Sequence, residues 1–297
     1  MLPGPGPRPV RPRPEACAQT HPRAAAPGIQ GGLTPMSTMT ATLATGPEPS
    51  LTAVTVDDSG GWIHKALADF QRAPGLSLTY GGLFVLLSWG LSALVLYAGL
   101  GSVLLPLTSG FMLVGAVFAV PLHVISLAHE RGERIGLPEA VRRSLASLPG
   151  LAIVGVTLTL VMLAWMLLAL LIFAAFYGGQ PPSLARFGTD LLSSPQAAFF
   201  LATGTFVGAV MATVAFSIAA LSIPMLVDKP DTQPIHAMAV SLEAVIRQPG
   251  VMIGWGATVG FITVSGMVPA FLGLAFTLPL AGYASWHAYR ALLPQGV

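Results

Sequence analysis

Long continuous apolar runs are the feature that most constrains what this chain can fold into. An apolar helix needs about 20 residues to cross a lipid bilayer. The runs 78–127 and 251–293 are each long enough for two crossings, and the runs 151–176 and 197–227 are each long enough for one. Their residues do not alternate in the way that the strands of a membrane barrel do. The pattern therefore predicts an all-α membrane protein with six transmembrane helices.

The composition supports this class of protein. Of the 297 residues, 54% are hydrophobic and only 9% are charged, whereas soluble domains carry about 25% charged residues. The formal charge of +2 and the scattered basic residues indicate that nucleic acid is not a partner. The single cysteine, Cys17, excludes an internal disulfide and a cysteine-ligated iron–sulfur or zinc site.

The N-terminal 58 residues differ in composition from the rest of the chain. They contain Pro-Gly-Pro-Gly-Pro and Arg-Pro-Arg-Pro motifs, and too few apolar residues to offset the entropy of ordering. We therefore predict a disordered Pro- and Arg-rich tail over 1–58 and a six-span membrane domain over 59–297. The alternatives are a docking role for the proline motifs and a true start of the protein at Met36 or Met39.

Three similar junctions indicate an internal repeat. A short amphipathic segment ends in a Pro-Gly pair, and an apolar span follows at once, at Pro74-Gly75, Pro149-Gly150 and Pro249-Gly250. The predicted apolar stripes are Ile63, Leu67 and Phe70, then Val141, Leu145 and Leu148, then Met238, Leu242, Val245 and Ile246. Lys65 with Asp69 and Glu243 with Arg247 are expected to pair on the polar faces. We predict three repeats of an interfacial helix plus a transmembrane hairpin, each interfacial helix lying in the lipid boundary or against the bundle.

Prolines and charges define the ends of these hairpins. Pro121, Pro224 and Pro279 lie near the ends of the second, fourth and sixth spans, where we expect them to kink the helix. The charged segment 129–143 must lie outside the hydrocarbon. With this segment in the cytoplasm, every Lys and Arg except Arg186 falls on the cytoplasmic side. The positive-inside rule then places both termini in the cytoplasm.

Candidate functional residues gather at the predicted cytoplasmic rim. They are His123, Glu130, Glu133, Asp228, Trp286, His287 and Arg290. The two histidines and the carboxylates are of the types that bind divalent metals, but no HxxxH or HExxH motif accompanies them. In the alternative interpretation, Trp286 and Arg290 anchor the last span at the lipid head groups, and Glu130 forms a surface pair with Arg134. We therefore predict no catalytic, cofactor-binding or metal-binding residue.

The interior of the predicted bundle carries only weakly polar residues. Proton- and ion-coupled transporters usually place Asp, Glu, Lys or Arg inside the bundle, and none lies there. The hydroxyl groups are expected to bond to the carbonyl four residues earlier or to a neighbouring helix; they belong to Ser88, Thr108, Ser109, Thr157, Thr159, Ser217, Ser222 and Thr263. The alternative is a cavity for a neutral or lipid-like solute.

Glycine pairs four residues apart are typical of helices that approach closely. They occur at Gly204 and Gly208, at Gly250 and Gly254, and at Gly256 and Gly260. We expect them to pack within the bundle, and contact with another subunit is the alternative.

Several motifs carry a family resemblance. They include Ser77-Leu-Thr-Tyr-Gly81, Ile223-Pro-Met-Leu-Val-Asp228 and Pro279-Leu-Ala-Gly-Tyr-Ala-Ser-Trp-His-Ala-Tyr-Arg290. Through them, the chain from Gly61 to Leu293 resembles the domain of unknown function 2189 family of predicted bacterial integral membrane proteins. The resemblance implies a six-span protein of the bacterial inner membrane and transfers no activity. Some members are labelled as similar to cytochrome c oxidase subunit I, but a haem or copper site needs paired histidines deep in the spans, and only His123 and His287 lie within apolar stretches.

These observations lead to three functional hypotheses. The first is a non-catalytic interaction or assembly component that contacts the lipid bilayer and either a second copy or a membrane-protein partner. The second is a transporter or channel for a neutral or lipid-like solute, which predicts a polar-lined cavity reaching the middle of the membrane. The third is an enzyme with a metal or haem at the rim. We favour the first because no ionisable group is predicted inside the bundle.

Overall fold

A computed structural model describes residues 51–55, 58–101, 104–178 and 195–293, together with Gly4. Helices make up nearly all of this part of the chain, and it contains no strand. The predicted all-α class is therefore confirmed. Most of the predicted tail, 1–58, lies outside the described residues.

The helices follow the chain in the order α1 Asp58–Arg72, α2 Pro74–Tyr97, α3 Leu104–Val114, a 3-10 helix Gly115–Ala119, α4 Val120–Glu130, α5 Leu137–Ser144, a 3-10 helix Leu145–Ser147, α6 Leu148–Tyr177, α7 Pro195–Ala219, α8 Ser222–Asp228, α9 Pro234–Arg247, α10 Pro249–Met267 and α11 Leu274–Leu292. A proline occupies the first or second position of α2, α4, α5, α6, α9 and α10. Its missing N–H costs nothing there, because the first N–H groups of a helix have no partner within the helix. Proline therefore fixes where most of these helices begin.

Four helical segments are long and apolar enough to cross a membrane. They are Pro74–Tyr97, Leu137–Tyr177, Pro195–Asp228 and Pro249–Met267, and Gly115–Glu130 is a shorter apolar helix. Over the residues described, the structure thus supports four candidate spans by length and composition. The number six and the threefold repeat stay predictions.

The prolines near the ends of the predicted hairpins differ in their effect. The helix changes to 3-10 geometry over Gly115–Ala119 before Pro121, and it is interrupted between α7 and α8 before Pro224. Proline lacks an N–H and clashes with the carbonyl four residues earlier, so the interruption falls on its N-terminal side. By contrast, α11 continues through Pro279 without a break.

The protein core surrounds the second half of α11. Buried apolar side chains concentrate in 119–128, 215–227, 237–245 and 281–293. Two glycines allow the close packing of neighbouring helices on α11. A Cβ atom at Gly81 would lie 2.3 Å from the carbonyl oxygen of Ala275, and one at Gly282 would lie 2.5 Å from the Leu122 side chain. Helices α2 and α4 therefore approach α11 more closely than any larger residue would permit.

The three short amphipathic helices bury only part of the predicted stripes. Phe70 and Val245 are buried as predicted, together with residues that the stripes did not include. In α1 the buried residues are Trp62, Ala66, Asp69 and Phe70. In α9 they are Ala237, Val240, Ser241, Ala244 and Val245, while Leu242 and Ile246 are exposed. The stripe Val141, Leu145 and Leu148 is also exposed. Helix α1 thus packs against the bundle, whereas the predicted stripe of the second segment faces outward.

The glycine pairs are only partly used within the bundle. Gly208 packs against the ring of Trp165, and Gly256 packs against the ring of Phe216. A Cβ atom would meet no neighbour at the remaining members, Gly204, Gly250, Gly254 and Gly260. Packing within the bundle is therefore confirmed for one glycine of each of two pairs.

Residues 51–55 contact the membrane domain through hydrogen bonds. The Thr52 N–H donates to the Leu292 carbonyl at 3.0 Å. The Gln248 side chain accepts from the Val54 N–H at 3.1 Å and donates to the Thr52 carbonyl at 2.9 Å. The segment just before α1 is therefore joined both to the end of α11 and to the α9–α10 junction.

Candidate functional site

The second half of α11 carries the polar residues that link it to three other helical segments. Trp286, Tyr289 and Arg290 are three and four residues apart and so share one face, while His287 points to another. Their contacts form two groups. We call Asp69, Ser126, His129 and His287 the acid–histidine cluster, and Glu130, Asp228, Trp286, Tyr289 and Arg290 the arginine cluster.

The acid–histidine cluster is built around the carboxylate of Asp69, which is only 2% exposed. One of its oxygens, Oδ1, lies 3.0 Å from Nδ1 of His129. The other, Oδ2, lies 2.8 Å from Nε2 of His287 and accepts a 2.8 Å hydrogen bond from the Ser126 hydroxyl. Arg72 reaches Oδ1 at 3.4 Å from the exposed side. The cluster thus joins α1, α4 and α11 through a single side chain.

The hydrogen bonds determine the charge state of Asp69. Burial raises the pKa of the Asp69 carboxyl, because a buried charge loses its hydration. The hydrogen bonds from His129, His287 and Ser126 outweigh this effect and hold the pKa of Asp69 well below its usual range. Asp69 is therefore ionised at neutral pH and accepts hydrogen bonds from two other helices, α4 and α11.

The arginine cluster is built around the guanidinium of Arg290. It donates two hydrogen bonds to Asp228, at 2.9 and 3.1 Å, in the bidentate geometry that suits a carboxylate. Its Nε donates to Glu130 at 3.1 Å, and the Trp286 indole N–H donates to the same carboxylate at 2.8 Å. The Tyr289 hydroxyl completes the cluster by donating to Asp228 at 2.9 Å.

Aromatic rings cover the charged centre of this second cluster. The guanidinium carbon of Arg290 lies 4.7 Å from the centroid of the Trp286 ring and 5.8 Å from that of Tyr289. Both rings are buried, so these cation–π contacts are shielded from water and are stronger than exposed ones. The arginine cluster joins α4, α8 and α11.

Four of the seven predicted rim residues come together in the arginine cluster, namely Glu130, Asp228, Trp286 and Arg290. His287 lies in the acid–histidine cluster instead. The His123 ring is buried, 6.1 Å between centroids from Trp286, and neither of its nitrogens has a hydrogen-bond partner among the described residues. Glu133 lies apart from both clusters.

Glu133 belongs to a chain of partly exposed ion pairs in the charged segment. It bonds to Arg143 at 2.6 Å, and Arg143 also bonds to Glu139 at 2.8 Å. Glu139 accepts two further bonds from Arg142, each at 2.7 Å. Hydrogen bonds from Arg142 and Arg143 lower the pKa of Glu139 to about 2. Exposed pairs of this kind contribute little to stability.

Two predicted surface pairs are replaced by other contacts. Asp69 does not pair with Lys65, because Lys65 is exposed while Asp69 faces the core. Helix α4 ends at Glu130, and Gly132 adopts a positive φ of 72°. The helical spacing needed for a Glu130–Arg134 pair is therefore lost, and Glu130 contacts α11. The predicted Glu243–Arg247 pair is confirmed at 2.5 Å.

Sequence reasoning missed Asp69, Ser126 and His129 as a connected set. One signal was available, since Trp62, Ala66, Asp69 and Phe70 have the i, i+4, i+7, i+8 spacing of a buried helix face. An acid on such a face needs buried donors. Ser126 and His129, three residues apart on α4, meet that need. The sequence does not show that α1 contacts α4, so these three residues could be connected only once the fold was known.

The hydroxyl groups of the bundle mostly bond within their own helices. The i−4 carbonyl accepts from the hydroxyls of Thr108, Thr157, Thr159, Ser217, Ser222 and Thr263. The Ser109 hydroxyl accepts a 3.1 Å hydrogen bond from the indole N–H of Trp165 on the neighbouring helix α6. The prediction of a bond to the i−4 carbonyl or to a neighbouring helix is therefore confirmed for seven of the eight residues. Between α2, α3 and the end of α10 lies a pocket of about 30 Å³, lined mainly by apolar residues, which is not the polar cavity that the transport hypothesis predicts.

No group of three or more His, Cys, Asp and Glu residues in the described ranges is arranged to hold a metal ion. In the acid–histidine cluster, each imidazole nitrogen nearest to Asp69 is used in a hydrogen bond to its carboxylate. The geometry of both clusters is that of bonded structural groups that hold helices together.

Residues 104–228, from α3 to α8, match the family described as predicted integral membrane protein (DUF2189). The resemblance to the domain of unknown function 2189 family is thus confirmed over this segment, which contains Ser126, His129, Glu130 and Asp228. No curated protein and no solved structure matches the chain. The protein is an integral membrane protein, and the family description assigns it no activity.

Proposed function

We propose that this protein is a six-span component of the bacterial inner membrane that acts in interaction or assembly and is not a catalyst. One observation carries the proposal. The polar groups at the charged end are bonded to one another, while the long apolar helices leave most of their surface open. The first region holds the helices together, and the second is available to lipid and to a membrane-protein partner.

The six spans consist of the four long apolar segments, the segment from α3 to α4, and α11. The backbone supports a repeat at two of the three Pro-Gly junctions. Ala73, before the first pair, has φ −140° and ψ 60°, and Gln248, before the third, has φ −130° and ψ 58°. At the second junction, a 3-10 turn ends at Ser147, with φ −90° and ψ 0°. The first and third junctions are thus alike in backbone geometry, and the second differs from both.

The distribution of basic residues supports a cytoplasmic location for both termini. The described Lys and Arg residues lie in the connections, in the lead-in helices and, for Arg290, in the last turn of α11. In the six-span arrangement all of these lie on one side. Arg186, on the opposite side, lies outside the described residues. In a Cys17→Ser chain, a cysteine at Arg134 should react with a membrane-impermeant maleimide only after the cells are opened. Labelling in intact spheroplasts would contradict this orientation.

The apolar surface is most open along α6. Only 11% of the most apolar 18-residue stretch of the segment Leu137–Tyr177 is buried, compared with 33% for the corresponding stretch of Pro195–Asp228. Leu160, Leu167 and Leu171 share one face of α6 and are 61%, 68% and 66% exposed. Val154 and Leu158, on the opposite face, are fully buried. Helix α6 therefore offers one packed face and one free face, as expected for a helix that has a further partner in the membrane.

Cysteine cross-linking in native membranes tests this proposal. Single cysteines replace Leu94, Leu167, Phe206 or Phe261 in a Cys17→Ser chain, so that each of four long helices carries one on its exposed face. We expect at least the α6 position to give a discrete protein adduct, whose mass distinguishes a second copy from another protein. A cysteine at Leu158 is the matched buried control and should give none. If all four exposed positions remain unlinked at native expression levels, the interaction role is wrong.

A further inference from the structure

A pocket of about 200 Å³ lies beside the arginine cluster, at the point where apolar helices become charged. It is bounded by the end of α4, the α5–α6 junction and the end of α8. Its lining includes Arg131, Arg143, Ala146, Ser147 and Asp228, together with apolar side chains from the ends of α4 and α8. The ends of α4 and α8 provide the apolar wall, and the charged segment provides two arginines. The pocket therefore combines an apolar wall with cationic groups.

Arg143 is held in place at this pocket by its ion pairs. Its Nε donates to Glu139 and its NH1 donates to Glu133. A guanidinium carries five N–H donors in a rigid plane, so three remain beyond these two bonds. The two carboxylates fix the orientation of the plane and compensate its charge, and they leave N–H donors for an additional acceptor. Arg131, which is exposed, brings the second positive charge.

Asp228, the carboxylate in the lining, repels a bound anion only weakly. Both oxygens of Asp228 accept hydrogen bonds from Arg290, and one also accepts from Tyr289. Its charge is thus compensated from the side of the core. Ser147 is buried in the lining, and its hydroxyl provides a neutral hydrogen-bond donor for an anion in the pocket.

The size of the pocket limits its occupant. A drug-sized ligand needs about 300–1,000 Å³, whereas a water molecule takes about 30 Å³. A volume of about 200 Å³ suits a phosphate with a short polar extension and excludes acyl chains. Leu145 and Leu148 flank the lining residues Ala146 and Ser147 in the chain, and both are exposed. An apolar surface for acyl chains thus lies next to a site for the head group.

We propose that this pocket binds the phosphate-bearing head group of an anionic phospholipid, with the acyl chains lying along the exposed apolar stripe of the α5–α6 junction. Arg131 and Arg143 bind the phosphate, as basic pockets between membrane helices do. The proposal requires insertion in a membrane, but it does not require the interaction role described above.

Lipid titration by native mass spectrometry tests the site. Phosphatidylglycerol is added to the full-length protein in detergent, with phosphatidylcholine and inorganic phosphate as separate arms. We expect selective retention of phosphatidylglycerol, and a decrease in its affinity of about tenfold in Arg131→Gln, the loss typical of one charge-assisted hydrogen bond. Arg142→Gln is the matched control, because Arg142 carries the same charge next to Arg143 but does not line the pocket.

A second variant tests the volume of the pocket without removing charge. Ala146 is exposed in the lining, so Ala146→Trp fills the pocket while leaving the ion pairs in place, and it should abolish selective retention. An unchanged melting temperature in phosphatidylcholine nanodiscs confirms that each variant is folded. The proposal is overturned if Arg142→Gln loses as much affinity as Arg131→Gln, if Ala146→Trp binds normally, or if inorganic phosphate competes as strongly as the lipid.

Discussion

The two polar clusters hold the same helix by different chemistry. In the acid–histidine cluster, one buried carboxylate accepts from two imidazoles and a hydroxyl, so a single acid connects three helical segments. In the arginine cluster, one guanidinium donates to two carboxylates, under the cover of two aromatic rings. The first has an anion at its centre and the second has a cation. Helix α11 is thus fixed by two centres of opposite charge, and only the anionic one loses its charge at low pH.

Removing the anionic centre should have the largest effect. Asp69→Ala leaves His129, His287 and Ser126 without their acceptor in a buried site. We expect it to lower the free energy of unfolding by about 3–5 kcal/mol, the usual cost of breaking a buried pair. Denaturant unfolding in detergent measures the change. Asp231→Ala, at an exposed aspartate, is the control and should leave stability unchanged.

Replacing the cationic centre by another cation should cost less. Arg290→Lys keeps the charge but loses the bidentate bond to Asp228 and the planar stacking on Trp286. We expect a loss of about 1.5–3 kcal/mol, the range for hydrogen bonds to charged groups. Arg142→Lys, on an exposed arginine with the same type of acceptor, should be neutral. Equal losses at the two positions would show that the aromatic cover contributes nothing.

Two neighbouring glycines test whether both clusters depend on close packing of α11. A Cβ at Gly81 would overlap the Ala275 backbone, whereas a Cβ at Gly82 would meet nothing within 4 Å. We expect Gly81→Ala to destabilise by roughly 1–3 kcal/mol, as overpacking does. Gly82→Ala should stabilise by up to about 1 kcal/mol through helix propensity. Thermal unfolding of the two variants measures both changes in stability. Changes of the same sign would argue against close contact between α2 and α11.

Acid should weaken the anionic centre, Asp69, and we expect this to be the smallest effect of the series. The pKa of Asp69 is lower in the folded protein than its ordinary value of 3.8. Its contribution is therefore fully present above the pKa of the unfolded chain and is lost as the pH falls through the folded pKa. We expect the stability gap between the wild type and Asp69→Asn to shrink below about pH 4. A gap that stays constant down to pH 3 would mean that the Asp69 charge contributes nothing.

The arginine cluster was the easier of the two to predict from sequence. Glu130, Asp228, Trp286 and Arg290 all stand where apolar runs end, so a common depth in the membrane brings them near one another. Asp69 stands in a short amphipathic helix, where hydropathy places charged residues on the outer face. Its burial depends on contacts with α4 and α11, which no local periodicity encodes. Likewise, small residues are visible in the sequence, but only the fold distinguishes Gly81, which meets a backbone, from Gly82, which does not.

The length of chain between the members of the acid–histidine cluster has a consequence for biosynthesis. Asp69 is 57 residues from Ser126 but 218 residues from His287. A ribosome therefore delivers α1 and its acid long before the last of its donors exists, and domains form as the chain emerges from its N-terminal end. Until α11 is inserted, Asp69 lacks one donor and remains partly hydrated. The hydrogen bond to His287 thus forms only after α11 has been synthesised. A truncated chain that lacks α11 is left with a buried Asp69 that has lost one of its donors.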